Sequence, residues 1–375
     1  MLHKPVTVSR RTTLAMLSAA AGAGLSSALR VDAASSPSLA DLAAAKGLRF
    51  GSAVSAVAGG FTDADVAALL IRECRLIVPE NELKLYVIEK DEGVYNFTPA
   101  DRMLAFCKSH NMLMRGHNLW WARDKYAPQW LVKHDFGKHP KVQAERVLRD
   151  YVVRVVDHYG EDIVSWDVIN EILDPQTGEV RDSVFQRILG MDALRIVYEA
   201  ARERLPKTQL VYNDYMCWEA GKENHRAGAL KLLRWFREQK LPVDVLGIQS
   251  HLGFDYELES GQHDQWRQFL NEVVGMGYDL LVTELDVNDQ HTKGDIAERD
   301  ATVAKVARDY LDLTLSYKQV KDVLVWGITD KFSWLQGARP RADGQPQRCT
   351  LYDANFQPKP LRDAVAAAFK AAPAR

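Results

Sequence analysis

The sequence predicts one α/β domain that forms a closed (β/α)₈ TIM barrel. Short apolar runs alternate with longer segments in which apolar residues recur every three or four positions, as in strands followed by amphipathic helices. This repeated order implies parallel pairing, and eight such units fit a barrel of about 250 residues before loop insertions. A doubly wound open sheet is the alternative, but the glycine fingerprint of dinucleotide-binding sheets is absent after the first run, where Gly59 and Gly60 stand alone.

The predicted elements follow one another along the chain with no Pro- or Ser-rich linker between them. We therefore expect residues 35–375 to form the barrel as one domain. The apolar runs predict eight strands, at 48–54, 76–78, 113–117, 163–169, 209–212, 243–248, 280–285 and 323–328. The helical periods that are clearest between them lie at 142–159, 184–204, 224–239, 266–274 and 297–315.

The first 34 residues have the pattern of an export signal. Arg10 and Arg11 precede an Ala-, Gly- and Leu-rich run at 14–29, and small residues follow it up to Ala34. The run is shorter than the roughly 20 apolar residues that a spanning helix needs. We expect a cleaved signal of the twin-arginine type and a periplasmic or secreted protein, with a retained membrane anchor as the alternative.

Charge and cysteine usage exclude several classes of partner. The chain has 48 Lys and Arg against 50 Asp and Glu, which provides no basic excess for nucleic acid or an anionic membrane. We expect no nucleic-acid partner, no stable membrane insertion, no cofactor, no catalytic metal and a monomeric chain; a structural Ca²⁺ site, which would leave no motif, stays open. Four cysteines match no zinc or redox spacing and are predicted to be buried apolar side chains: Cys74, Cys107, Cys217 and Cys349.

Two acidic residues follow predicted strands at positions where barrels carry function. Glu171 comes directly after the fourth strand and Glu284 lies near the end of the seventh. Because the carboxyl ends of barrel strands meet at one mouth, both side chains are expected to project there. Such a pair can exchange protons, divide glycoside cleavage between acid and nucleophile, or ligate a metal. His117 and His251 keep the metal hypothesis open on residue types alone.

The other predicted strand ends carry amides, histidines, one lysine and several tryptophans. A polyhydroxylated sugar ring requires hydrogen bonds in its plane and flat apolar surfaces against its faces. Together these side chains predict a carbohydrate-binding cleft. They are Glu80, Asn81, Lys84, His117, Trp121, Asn213, Asp214, Tyr215, Gln249, His251, Trp326 and Trp334.

On these motifs the chain resembles glycoside hydrolase family 10, the endo-β-1,4-xylanases, from about residue 45 to 370. The most specific matches are Trp-Asp-Val-Ile-Asn-Glu at 166–171 and Thr-Glu-Leu-Asp at 283–286. The resemblance implies a retaining double displacement on xylan or xylooligosaccharides, with Glu171 as acid/base and Glu284 as nucleophile. It implies supporting roles for three further residues: Asn170 at the sugar 2-hydroxyl, His251 as the partner of the nucleophile, and Asp286 behind that imidazole.

The same resemblance implies substrate contacts and shows two departures. The family's usual Trp after the lysine is replaced by Leu85, and its usual His-x-Gln after the third strand is replaced by Ala122-Arg123-Asp124. We expect either a subsite that is weakened or adapted to a decorated or acidic xylan, or a structural ion pair of Arg123. The implied substrate contacts are Glu80, Asn81, Lys84, His117, Trp121, Gln249, Trp326 and Trp334.

Two other functions stay open at this point. The first is hydrolysis of another β-1,4-glycan, such as cellulose or a mixed glucan, which depends on the room left for a C6 hydroxymethyl group. The second is a carbohydrate-binding protein that does not hydrolyse its ligand.

Overall fold

The computed structural model describes residues 36–57, 60–253 and 262–375. The export signal predicted for residues 1–34 therefore lies outside the described residues. Within them, the chain from Pro37 to Arg375 forms one compact unit. No helix of these residues is long and apolar enough to cross a membrane.

Parallel strands of the described residues form a closed barrel, which confirms the predicted fold. The strand β1 pairs with β2 on one side and with β9 on the other, and β6 pairs with β8, so that eight strands complete the ring. The short β7 pairs outside the ring with the end of β8. The strands are β1 Arg49–Val54, β2 Leu76–Pro79, β3 Leu113–Trp121, β4 Ile163–Asn170, β5 Gln209–Asp214, β6 Val245–Ile248, β7 His251–Leu252, β8 Asp279–Val287 and β9 Val320–Val325.

Helices connect the strands and cover the outside of the barrel, as expected for parallel pairing. Their buried faces carry the apolar residues that recur at helical spacing, for example Leu148, Val152 and Val155 of α6. The helices are α1 Leu39–Ala44, α2 Ala64–Glu73, α3 Leu85–Ile88, α4 Thr98–Ser109, α5 Gln129–Val132, α6 Pro140–Tyr159, α7 Val184–Leu189, α8 Asp192–Arg204, α9 Glu223–Glu238, α10 Gln262–Gly275, α11 Ile296–Thr314, α12 Leu335–Ala338 and α13 Pro360–Ala371.

Three predicted elements differ clearly from the structure in where they end. The single helix predicted at 184–204 is two helices, because Gly190 has a φ of 61° that a continuing helix does not allow. The last strand runs from Val320 to Val325 rather than over 323–328, since Gly327 has a φ of 95°. The third strand continues past residue 117 to Trp121, although its later residues include polar ones.

Close packing between β3 and β4 sets the register below the barrel mouth. Gly116 lies opposite Trp166 in the parallel ladder, and a Cβ atom at position 116 would stand 2.0 Å from the indole ring. Only glycine therefore fits at this crossing. All four cysteines are buried free thiols, as the sequence predicts.

Candidate active site

The strands open at their carboxyl ends into a cleft of about 850 Å³. Every substrate contact that the sequence predicts lines this cleft, together with Asn170, Glu171, His251 and Glu284. Asp286 is buried behind the cleft wall, where it contacts two of the lining side chains. The structure thus brings the predicted substrate contacts together around one opening. Asn213 and Asp214, which the sequence also places at the barrel mouth, are fully buried and do not line the cleft; Asp214 instead accepts from Tyr212 Oη at 2.8 Å.

Glu171 leaves the end of β4 in a conformation that turns its side chain into the cleft. Its φ is 54°, an uncommon value for a residue with a Cβ atom, and hydrogen bonds to its backbone on both sides hold it there. Its backbone N–H donates to the carbonyl of Asn213 at 3.0 Å, and its own carbonyl accepts from Arg181 Nε at 3.0 Å. The carboxylate accepts from Arg123 Nη1 at 2.9 Å and from Gln249 Nε2 at 3.2 Å.

Glu284 lies within β8 and is surrounded by hydrogen-bond donors and positive charge. Its Oε1 accepts from Asn213 Nδ2 at 2.8 Å, and its Oε2 lies 3.2 Å from His251 Nε2. Burial raises the pKa of this carboxyl, but the His251 hydrogen bond and the charges of His117, His251 and Lys84 outweigh burial and hold the pKa below its ordinary value. The carboxylate is therefore kept ionised.

His251 connects Glu284 to a buried acid. Its Nδ1 lies 2.9 Å from Asp286 Oδ1, and the other oxygen of Asp286 accepts from Trp334 Nε1 at 2.7 Å. Burial alone would lower the pKa of the imidazole, but the charges and hydrogen bonds of Asp286 and Glu284 raise that pKa to about 10. The ring is therefore a cation at neutral pH, and both of its nitrogens donate.

Three amide side chains connect the two carboxylates. Asn213 Nδ2 donates to Asn170 Oδ1 at 2.9 Å as well as to Glu284, and its own Oδ1 accepts from Thr283 Oγ1 at 2.7 Å. Gln249 Nε2 donates at 3.2 Å to Asn170 Oδ1 and to Glu171. The sequence marks Asn213 only as one of several polar residues after the predicted fifth strand, whereas the structure places it inside β5 as the bridge between the halves of the site.

The opposite side of the cleft combines a lysine with aromatic rings. Lys84 Nζ lies 4.5 Å from the ring centroid of Trp121 and 6.0 Å from that of Trp326. Burial lowers the pKa of this ammonium, while nearby acids, Glu284 first, oppose the shift. Burial likewise raises the pKa of Glu80. These rings and charges form a surface that is flat in places and rich in hydrogen-bonding groups.

His117 and Asn81 are held by partners of their own. His117 Nδ1 lies 2.9 Å from Asp167 Oδ2, and the other oxygen of that acid pairs with Arg115 at 2.5 Å. Asn81 Oδ1 accepts from Tyr86 Oη at 2.7 Å. Both side chains are therefore oriented before any ligand enters the cleft.

The two departures from the family pattern have different positions. Leu85 is half-buried at the start of α3 and packs against the core. Arg123 projects into the cleft and pairs with Glu171. The next residue, Asp124, accepts hydrogen bonds from α7, namely from the N–H of Val184 and the side chain of Arg187. The structural ion pair considered for Arg123 is therefore an ion pair inside the site itself.

The residue types left a metal hypothesis open for the paired acids. Among residues 36–57, 60–253 and 262–375, no group of three or more His, Cys, Asp or Glu side chains is arranged to hold a metal ion. The two carboxylates instead contact donors, which are Arg123 and Gln249 for one acid and Asn213 and His251 for the other. The arrangement is suited to proton transfer and nucleophilic attack.

The chain is similar in sequence to one family of known proteins. The family model described as "Glycosyl hydrolase family 10" matches residues 38–368. The "Thermostable celloxylanase" of Thermoclostridium stercorarium is 30% identical over 328 residues, 82% of each chain. "Endo-1,4-beta-xylanase 5" of Pyricularia oryzae is 32% identical over 306 residues, 80% of this chain and 71% of the relative.

Solved structures agree with the sequence matches. Native xylanase 10B from Thermotoga maritima has a TM-score of 0.78 at 28% identity, covering 89% of this chain and 98% of its own. Xylanase 10B from Thermotoga petrophila, solved in complex with xylobiose, has a TM-score of 0.79 at 27% identity with the same coverage.

Proposed function

The chain belongs to glycosyl hydrolase family 10, and on that premise we propose that it is a retaining endo-β-1,4-xylanase that hydrolyses internal bonds of xylan and xylooligosaccharides. The observation that carries this proposal is the pair of carboxylates in one cleft, one of them surrounded by donors that keep it ionised. Glu284 is the proposed nucleophile, and Glu171 is the proposed acid/base.

In the first step, the ionised carboxylate of Glu284 attacks the anomeric carbon of the sugar. Glu171 donates its proton to the glycosidic oxygen, so that the bond to the leaving sugar breaks as the bond to Glu284 forms. The donors on Glu284 favour this order, because His251 and Asn213 keep the attacking carboxylate deprotonated and aimed.

In the second step, the same residues act in reverse. Glu171, now ionised, takes a proton from water as the water oxygen attacks the anomeric carbon, and the bond to Glu284 breaks. Two inversions at one carbon return the β configuration. The second attack uses the oxygen of water in place of the sugar that left.

Asn170 is the proposed partner of the sugar 2-hydroxyl. Its Oδ1 accepts from both Asn213 and Gln249, which leaves its amide NH₂ as the side available to a substrate. A contact to the 2-hydroxyl strengthens as positive charge develops at the neighbouring carbon. His251 and Asp286 are proposed to act through Glu284, by holding its orientation and charge.

The remaining lining residues are the proposed substrate contacts. The rings of Trp121, Trp326 and Trp334 offer apolar faces to sugar rings, and Lys84 stands between the first two. The xylobiose complex of the similar Thermotoga petrophila enzyme supports a ligand of this class. The other proposed contacts are Glu80, Asn81, His117 and Gln249.

The test is hydrolysis of a xylooligosaccharide followed by NMR at the anomeric carbon. We expect the β product to appear first, and Glu171→Gln to lower kcat/KM by about 10²–10⁴-fold, the usual contribution of general acid catalysis. Glu284→Gln should be affected more severely, because the covalent route is lost. Glu238→Gln, an exposed acid on α9, is the matched control. An α product, or full activity in Glu284→Gln, would refute the mechanism.

The same assay with cello-oligosaccharides and mixed glucans tests the alternative substrates. We expect lower kcat/KM for these glycans, and we propose that Lys84, Trp326 and Trp334 restrict the room for a C6 hydroxymethyl group. Tight binding without any product would identify a non-hydrolysing carbohydrate-binding protein. We propose export to the periplasm or the medium on the sequence of residues 1–34, which cell fractionation tests.

A further inference from the structure

Arg123 makes direct contact with the proposed acid/base, and the proposed function does not use it. Its Nη1 lies 2.9 Å from Glu171 Oε2, with side-chain exposures of 28% and 11% for the two partners. An arginine is charged at every accessible pH. The residue belongs to the stretch Ala122-Arg123-Asp124, one of the two places where the chain departs from its family's usual sequence.

The backbone on both sides of Arg123 is tied to the barrel. The N–H of Ala122 donates to the carbonyl of Asn170 at 3.2 Å, and Ala122 is fully buried. Asp124 accepts from the N–H of Val184 at 2.9 Å and from Arg187 at 2.7 Å. The guanidinium is therefore delivered to Glu171 by an anchored turn.

This ion pair has opposite consequences for the two chemical steps. A carboxylate that is ionised beside a guanidinium has no proton to donate, so the pair opposes the first step. The second step needs the ionised carboxylate as a base, so the pair is compatible with it. For the first step Glu171 must carry a proton, whereas a guanidinium beside a carboxyl group favours the ionised carboxylate.

We propose that Arg123 is a positioning residue that sets the pH range of the first step, because its guanidinium occupies the Glu171 carboxylate and has to leave it before that carboxyl can carry the proton. This inference rests on the proposed roles of Glu171 and Glu284. In the same conformation the central carbon of the guanidinium lies 5.6 Å from the ring centroid of Tyr126, so an aromatic face is already beside the arginine.

Other charged or titratable groups face Glu171 from the surrounding elements, but their main contacts lie elsewhere. Lys84 is shared among several acids, and Arg181 donates to the backbone carbonyl of Glu171 and to the hydroxyl of Tyr215 rather than to the carboxylate. Among the residues that the structure describes, Arg123 is the cation that hydrogen-bonds the carboxylate. The groups to be considered are Lys84 after β2, Arg123 after β3, Arg181 after β4, Tyr215 after β5, His251 of β7 and Glu284 of β8.

The test is the pH dependence of kcat/KM for an unactivated xylooligosaccharide. In Arg123→Met, protonation of Glu171 becomes easier. The pH at which kcat/KM falls on the alkaline side (the alkaline limb) should therefore rise by about one unit or more, the usual effect of one neighbouring opposite charge. At pH values above this fall, kcat/KM of the variant should be about tenfold higher than that of the unmodified enzyme. Arg123→Lys should return the limb toward its original position, and Arg146→Met, an exposed arginine on α6, should not move it.

An aryl xyloside with an acidic phenol separates this role from a structural one. Its leaving group needs no proton, so the displacement of the limb should be absent with this substrate. Equal losses on both substrates, or an unmoved limb in folded Arg123→Met, would overturn the inference. Arg123→Gln serves if the Met variant does not fold. If the unmodified enzyme cleaves neither substrate, the proposed function fails instead.

Discussion

Replacing His251 by Asn tests whether a cation holds the proposed nucleophile. The imidazole bridges two acids, at 3.2 Å from Glu284 and 2.9 Å from Asp286. The variant Asn reaches one of them at most and carries no charge. A hydrogen bond to an ionised group contributes about 1.5–3 kcal/mol, and about 1.4 kcal/mol corresponds to a factor of ten. We therefore expect kcat/KM to fall by about 10- to 150-fold.

The pH profile provides the sharper part of the test. The pKa of His251 is raised to about 10, so the cation persists across the whole range from pH 5 to 9. Titration of His251 should therefore add no limb to the wild-type profile near pH 6.5, the ordinary pKa of histidine. Because the folded-state pKa lies above the unfolded one, the stabilisation is complete below about pH 6.5 and is lost as the pH rises through about 10.

The assay is kcat/KM on a xylooligosaccharide from pH 5 to 9, with urea unfolding at pH 7 to show that the variant is folded. His291→Asn, at an exposed histidine, is the matched control. An unchanged kcat/KM in the His251 variant would refute the reasoning. A wild-type limb near pH 6.5 that disappears in this variant would do so too, because the imidazole would then titrate as an ordinary histidine.

Two further predictions concern stability. Gly116→Ala would place a methyl group 2.0 Å from the ring of Trp166, and we expect a loss of at least about 1–3 kcal/mol in urea unfolding, the usual range for overpacking. Glu73→Gln removes one partner of a buried ion pair with Arg362, and we expect a loss of about 3–5 kcal/mol at pH 7. Burial raises the pKa of Glu73, but hydrogen bonds from Tyr352 and other donors lower it overall. Its contribution is thus present above pH 4.5 and lost as the pH falls, so the difference between wild type and variant should shrink in acid.

Hydrophobic pattern could predict the order of the barrel strands but not where each one ends. Predicted β3 stops at residue 117, yet the strand continues to Trp121 because polar groups at the mouth are satisfied by neighbouring strands and loops. The break at Gly190 was visible in the sequence only as one glycine, and its φ of 61° depends on how α7 and α8 pack. The pattern of apolar residues indicates which positions are buried. Strand ends are set by backbone hydrogen bonding instead, so the two boundaries need not coincide.

The residues of the candidate site likewise divide into those that the sequence could predict and those that it could not. Glu171 and Glu284 could be found because each lies at the carboxyl end of an apolar strand, which is a property of the chain itself. The bridging position of Asn213 and the ion pair of Arg123 could not, since both depend on distances between side chains that are remote in sequence. The signal for Arg123 was only its place in a departure from the family pattern.

The two carboxylates differ less in the kind of group that contacts them than in how deeply those groups are buried. Each contacts one cation and one amide, yet retaining hydrolysis requires that one stay ionised while the other takes up a proton. The donors of Glu284 are strand-borne or buried: Asn213 is fully buried, and the cationic His251 is itself held by Asp286. The cation on Glu171 comes from a turn after β3 and keeps 28% of its side chain exposed. Under the proposed mechanism, the division of roles therefore depends on Arg123, the more exposed of the two cations.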